Sequence, residues 1–215
     1  VNVPLSIKLE ESNDLIFRLV HSEAKYIMVS GSQLKKIRTI ANALSDIKSI
    51  IIFDEQVDYE PNEISLTQLK QWGKDFLLKN PDAVINSSLS IQADDIANIS
   101  YTSGTTADPK GIMLTHRNYT ANVEQALTLM TIPPTFRTLI ILPLDHCFAH
   151  VAGFYSFMAS GASVGTVQNG KTGLETLKNI PANIKELQPD LLLSVPALAK
   201  NFRKNIEGSI RTKGP

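Results

Sequence analysis

At 215 residues, with 43% apolar and 20% charged side chains and 21 basic against 21 acidic residues, the chain has globular composition and no charge excess that would mark a nucleic-acid partner. Its four histidines are too scattered for a metal cluster, and the single cysteine, Cys147, excludes an internal disulfide and fits a reducing cytoplasm. No apolar run approaches the ~18 residues of a membrane span, so a membrane contact would be peripheral.

Hydrophobic periodicity then alternates along the chain. Asn13–His21 reads as a helix, Lys25–Ser30 as a short strand, Gln33–Leu44 as a helix and Lys48–Phe53 as a buried strand. Ser65–Lys79 has helical spacing, with Ser65 as N-cap and Asn80-Pro81 as the stop. Residues 83–92 are polar and read as a connector, followed by an apolar, buried strand over Ile96–Thr102. Ile112–Leu114 is a short strand and Asn118–Met130 a helix, and Pro133-Pro134 breaks the chain before a strand at Thr138–Leu142. The remainder reads as helix His146–Ser160, strand Ser163–Val167, helix Leu174–Leu187, strand Leu191–Val195 and helix Pro196–Ile206. Repeated βα units with apolar strands predict an α/β fold, a mostly parallel β-sheet flanked by helices. Junctions between subdomain pieces are expected near residues 83–93 and 131–137.

The stretch Tyr101–Tyr119, YTSGTTADPKGIMLTHRNY, carries the chemistry. Gly104 lets consecutive N–H groups converge on an anion, and Thr102, Ser103, Thr105 and Thr106 add hydroxyl donors. Pro109 fixes φ ahead of Lys110 and Gly111 frees the chain after it, so Lys110 is expected on a stiff turn, folded back over the anion. In an open parallel sheet, the C-terminal end of the preceding strand is where ligands bind.

This stretch resembles the phosphate-binding signature of the adenylate-forming enzymes, the AMP-binding superfamily that includes acyl-CoA synthetases. It departs from the signature at Ala107, where the family usually has glycine. The opening Val1–Val29 resembles the segment leading into the family's first subdomain, at the front of its large N-terminal domain. DLLLSVPALAKNFRKNI at Asp190–Ile206 resembles the Val-Pro stretch of long-chain fatty acyl-CoA synthetases. The resemblance implies ATP, Mg²⁺ and coenzyme A as reactants, with a fatty acid activated first to the acyl adenylate and then to the thioester. It places Thr102, Ser103, Gly104, Thr105, Thr106, Lys110 and Gly111 on the phosphates and Thr105 on Mg²⁺. By the same resemblance, His146 of the Pro143-Leu144-Asp145-His146 segment lies near the reacting carboxylate, and Phe148 lines or gates the acyl site; helix capping is the other reading of His146. The first residues, Val1-Asn2-Val3-Pro4, lack both a methionine and a leader's basic region, and the family's later motifs and small C-terminal domain do not occur. A piece of a longer enzyme, inactive alone, is therefore expected.

Competing patterns are present. GTVQNGKT at Gly165–Thr172 satisfies the Walker pattern, with Lys171 as its lysine, and IIIFDE at Ile50–Glu55 looks like an acidic partner strand, so a P-loop NTPase is one alternative. The acidic strand precedes the loop by more than a hundred residues and the predicted strand runs through Gly165, both against it. A non-catalytic acyl- or nucleotide-binding module is the other alternative. Asp94 and Asp95, as neighbours on an extended chain, point to opposite faces and cannot act together. Trp72 reads as core or a half-buried helix face.

Overall fold

The computed structural model describes residues 1–7, 9–102, 109–170, 172–196, 199–200, 202–204 and 207–208. The chain divides into two compact units, Val1–His116 and Arg117–Pro215.

In the first unit, helix α1 (Ser12–His21) buries Leu15 and Leu19 one turn apart, and α2 (Gly31–Ile40) buries Leu34, Ile37 and Ile40. Strand β1 (Tyr26–Val29) turns Ile27 and Val29 inward and leaves Tyr26 and Met28 exposed, whereas β2 (Ser49–Ile52) buries three consecutive isoleucines. These buried side chains, except Ile51, form one core with Leu44. A third strand, β3 (Glu63–Ser65), completes a parallel sheet in the order β1-β2-β3. It is three residues long and carries a glutamate, so nothing in its pattern announces a strand. The buried Glu63 carboxylate is held by Arg38 Nε (2.8 Å) and Nη2 (2.6 Å) and by the Glu60 N–H (3.0 Å). Helix α3 (Leu66–Lys79) is capped by the Ser65 hydroxyl accepting from Gln68 N–H at 3.0 Å, as its sequence predicts.

Residues 83–92 are not a connector: Ala83–Ser90 forms helix α4, in which Ser88 and Ser90 donate back to the carbonyls of Ile85 and Ser87. Three serines and an asparagine hid the helical spacing of Val84, Ile85 and Leu89. Strand β4 (Ile96–Thr102) forms where predicted, but its buried residues are Asn98 and Ser100, joined by a 2.8 Å bond, while Ile96 is exposed. Its partner β5 (Lys110–Thr115) runs antiparallel, so this pair is a hairpin set beside otherwise parallel pairings. Asn2 bridges to Asn98 along the other edge of β4.

The second unit holds helix α5 (His116–Leu129) from Arg117 on and the parallel pair β6 (Arg137–Ile140) and β7 (Ser163–Thr166). The expected α-helix over His146–Ser160 is largely a π-helical segment, Ala149–Tyr155, continuing into α6 (Ser156–Ala159). The Ser156 hydroxyl donates to the Val151 carbonyl five residues back at 2.8 Å, matching the wider turn. Helix α7 (Gly173–Leu187) keeps Pro181 in its interior, with Ile180 and Asn183 buried on either side. The expected strand at Leu191–Val195 is reduced to one parallel bridge, Leu191 with Thr138 on β6.

Candidate functional site

Thr102, the last residue of β4, is paired with Lys110, the first of β5, and both are exposed. Residues 103–108, including Ser103, Gly104, Thr105, Thr106 and Ala107, lie outside the described residues. Lys110 is therefore not on a turn, as Pro109 suggested, but opens a strand. Among the described residues no carboxylate pairs with its ammonium. Gly111 is also a strand residue, opposite Tyr101: a Cβ there would lie 3.1 Å from Ile99 Cγ2 and 3.3 Å from the Tyr101 ring. The missing side chain gives that ring its place.

Tyr101 anchors the hairpin to α1. Its hydroxyl lies 2.8 Å from His21 Nδ1 and donates to the Arg18 carbonyl at 3.3 Å. The Arg18 guanidinium, bonded twice to Asp14, sits 5.3 Å from the centre of the Tyr101 ring. His21 stacks on Phe17 and meets the Tyr101 ring edge-on. Burial pushes the Tyr101 phenol above its ordinary value of 10.0, against the pull of a Ser22 bond and the Arg18 charge. Sequence reading did not find these partners, because Arg18 and His21 lie some eighty positions earlier in the chain.

In the second unit, His146 is exposed and its Nδ1 accepts from the Phe148 N–H at 3.3 Å. It thus caps the helical segment, in line with the capping reading of His146. Phe148 is 46% exposed, which leaves its ring available to an apolar ligand or partner. His150 has both ring nitrogens engaged. Nε2 is 2.5 Å from the Leu144 carbonyl, and Nδ1 is 3.3 Å from the Tyr119 hydroxyl. Cys147 is a half-buried free thiol.

The Walker-like stretch is folded down onto α7. Gly165 lies within β7, paired with Leu139. The Gln168 N–H donates to Asn183 Oδ1 (3.0 Å), the Gly170 N–H to Thr176 Oγ1 (2.9 Å) and the Glu175 N–H to Thr172 Oγ1 (3.2 Å). An anion cradle needs converging, uncommitted amides, and two of these are taken by side chains of α7. Lys171 lies outside the described residues.

The sequence profile of the family described as AMP-binding enzyme matches residues 1–213. The chain belongs to this family. It is 27% identical over 216 residues to long-chain-fatty-acid–CoA ligase 1 of Saccharomyces cerevisiae, covering 91% of this chain and 31% of that protein. It is 27% identical over 214 residues to long chain acyl-CoA synthetase 8 of Arabidopsis thaliana, covering 93% of this chain and 28% of that one. Among solved structures it resembles the anthranilate CoA ligase AuaEII in complex with anthranoyl-AMP. The TM-score is 0.70 at 19% identity, over 88% of this chain and 34% of that chain. The parallel pairs flanked by helices are thus those of an adenylate-forming enzyme's N-terminal domain, and the chain spans about a third of the length of these relatives. No described helix is long and apolar enough to cross a membrane.

Proposed function

We propose that the protein to which this chain belongs activates a fatty acid with ATP, forming the acyl adenylate and releasing pyrophosphate, and then transfers the acyl group to coenzyme A. The observation that carries the reading is the antiparallel pairing that sets exposed Thr102 opposite exposed Lys110 at the two ends of the hydroxyl-rich stretch, within a chain of the AMP-binding family. Displacement at phosphorus needs positioning and neutralisation of spreading negative charge. In this reading Lys110, the loop amides and the hydroxyls of Thr102, Ser103, Thr105 and Thr106 grip the departing pyrophosphate. A hydroxyl oxygen such as that of Thr105 suits a hard cation, and Mg²⁺ when bound would neutralise the phosphate charge. His146 is assigned to the neighbourhood of the carboxylate and Phe148 to the acyl chain. The names of the yeast and Arabidopsis relatives support long-chain acids as the substrate class.

The test is ATP–pyrophosphate exchange by the intact protein with carboxylic acids of graded chain length. Exchange that rises with chain length supports the proposal. Exchange confined to short or aromatic acids would keep the chemistry and remove the fatty acid. No exchange with any acid, while nucleotide or acyl ligand still binds, would favour the non-catalytic module. The P-loop alternative has less support, because the Gln168 and Gly170 amides it would need are already bonded to α7.

A further inference from the structure

The turn that carries His146 and Phe148 is held mainly by itself. The His146 N–H donates to the Pro143 carbonyl (3.3 Å), the Phe148 N–H to His146 Nδ1 (3.3 Å) and the Ala149 N–H to the His146 carbonyl (3.0 Å). The last of these reaches only the first residue of the π-helical segment, and none reaches α5. His150, in the π-helical segment, makes the connection. Its Nε2 faces the Leu144 carbonyl at 2.5 Å, and a carbonyl can only accept, so Nε2 carries the hydrogen. Nδ1 then offers a lone pair to the Tyr119 hydroxyl at 3.3 Å, in the first turn of α5. The Tyr119 phenol stays a donor, since burial, with Tyr155 and Cys147 nearby, pushes its pKa up to about 12. Tyr155 closes the cluster edge-on, with ring centres 5.4 Å from Tyr119 and 6.3 Å from His150, so the imidazole is held from two sides.

We propose that His150 is a positioning residue: the chain Tyr119 hydroxyl, His150 imidazole, Leu144 carbonyl latches the Leu144–Phe148 turn, and with it His146 and Phe148, onto α5. The latch itself follows from the geometry, and its bearing on catalysis rests on the function proposed above. A ring wedged only for volume would not need both nitrogens bonded, and a structural histidine elsewhere in the helix would not reach the turn that bears the two residues assigned to substrate.

The experiment compares the intact wild-type protein with His150→Phe, which keeps a ring and loses both nitrogens, with His150→Gln, which keeps a donor near the Nε2 position, and with Tyr119→Phe. Hydrogen exchange at the His146, Phe148 and Ala149 amides is read beside ATP–pyrophosphate exchange. In His150→Phe those amides should exchange roughly five- to tenfold faster, the size of one net hydrogen bond, with β6 and α7 unchanged, and His150→Gln should restore most of the protection. The maximal pyrophosphate-exchange rate should fall by a similar factor with the KM for ATP unchanged. Wild-type protection in His150→Phe, loosening spread evenly over β6 and α7, or faster local exchange with unaltered kinetics would each overturn the proposal. A wild-type protein without pyrophosphate exchange would instead sink the proposed function, and the amide measurements would still decide whether the latch exists.

Discussion

Replacing Gly170 by alanine would put a methyl group 2.4 Å from Glu175 Cβ and 2.7 Å from the Thr176 amide nitrogen. Carbon atoms reach their optimum contact near ~3.5–4.0 Å, so the loop and the first turn of α7 must part by roughly 1 Å. Resisting that are the bonds Gly170 N–H to Thr176 (2.9 Å), Gln168 N–H to Asn183 (3.0 Å) and Asn179 Nδ2–H to the Gln168 carbonyl (2.9 Å). Overpacking of this kind costs about 1–3 kcal/mol, and the stiffer unfolded chain offsets about 0.4–1 kcal/mol, leaving a net loss of about 1–2 kcal/mol. For a chain of this size each kcal/mol lowers Tm by about 2–4 °C, so a fall of roughly 2–8 °C is expected. Thermal unfolding followed by circular dichroism measures it, alongside ATP–pyrophosphate exchange well below both transitions, which should not change. A variant with wild-type Tm and no exchange would refute the reasoning, because the amides of this loop would then be serving nucleotide and not α7.

Three further outcomes follow from named contacts. Arg38, with help from the Glu60 N–H and against burial, holds the Glu63 carboxyl below its ordinary value of 4.5. Its stabilising contribution is therefore complete above that value and is lost as pH falls through the lower folded value. Glu63→Gln should accordingly be less stable than wild type near neutrality, with the gap closing in acid; a gap independent of pH in urea titrations would contradict this. Phe157 is fully buried, and Phe157→Ala should lose about 3–5 kcal/mol in denaturant unfolding; a loss under 1 kcal/mol would mean the second unit has no packed core there. Tyr101→Phe removes the hydroxyl shared by His21 and Arg18 and should cost about 1 kcal/mol, while a neutral result would show that the ring alone anchors the hairpin.

The long, periodic elements were readable because their burial follows one rule. Leu15 with Leu19, and Leu34 with Ile37 and Ile40, announce helix faces, and Ile50–Ile52 announces a strand buried on both sides. Where side-chain hydrogen bonds decide the structure, the sequence says less. Glu63 makes a strand residue of itself only because Arg38 reaches it, Asn98 is buried in β4 with Ser100 as its partner, and α4 is held partly by its own serines. The site divides in the same way. Thr102 was read as the end of a strand and is one, whereas Lys110 and Gly111 were read as turn residues and lie in β5. The contacts that fix their hairpin, Tyr101 with Arg18 and His21, join distant parts of the chain, and no spacing rule could pair them. The partners of His150 were hidden for a further reason: on an α-helix it would be one turn past His146, but in the π-helical segment it meets Leu144 and Tyr119.

Lys110 and Lys171 are the two candidates for the lysine that serves the nucleotide. ATP–pyrophosphate exchange by the intact protein, with Lys110→Ala and Lys171→Ala beside the wild type, tests that choice directly. Exposed and without a carboxylate partner among the described residues, Lys110 should be removable with no change in Tm. The predicted result is exchange reduced by roughly 10²–10³-fold in Lys110→Ala, the loss typical of one charge-stabilising group, and close to wild type in Lys171→Ala. Retained exchange in Lys110→Ala, with loss only in Lys171→Ala, would contradict the account.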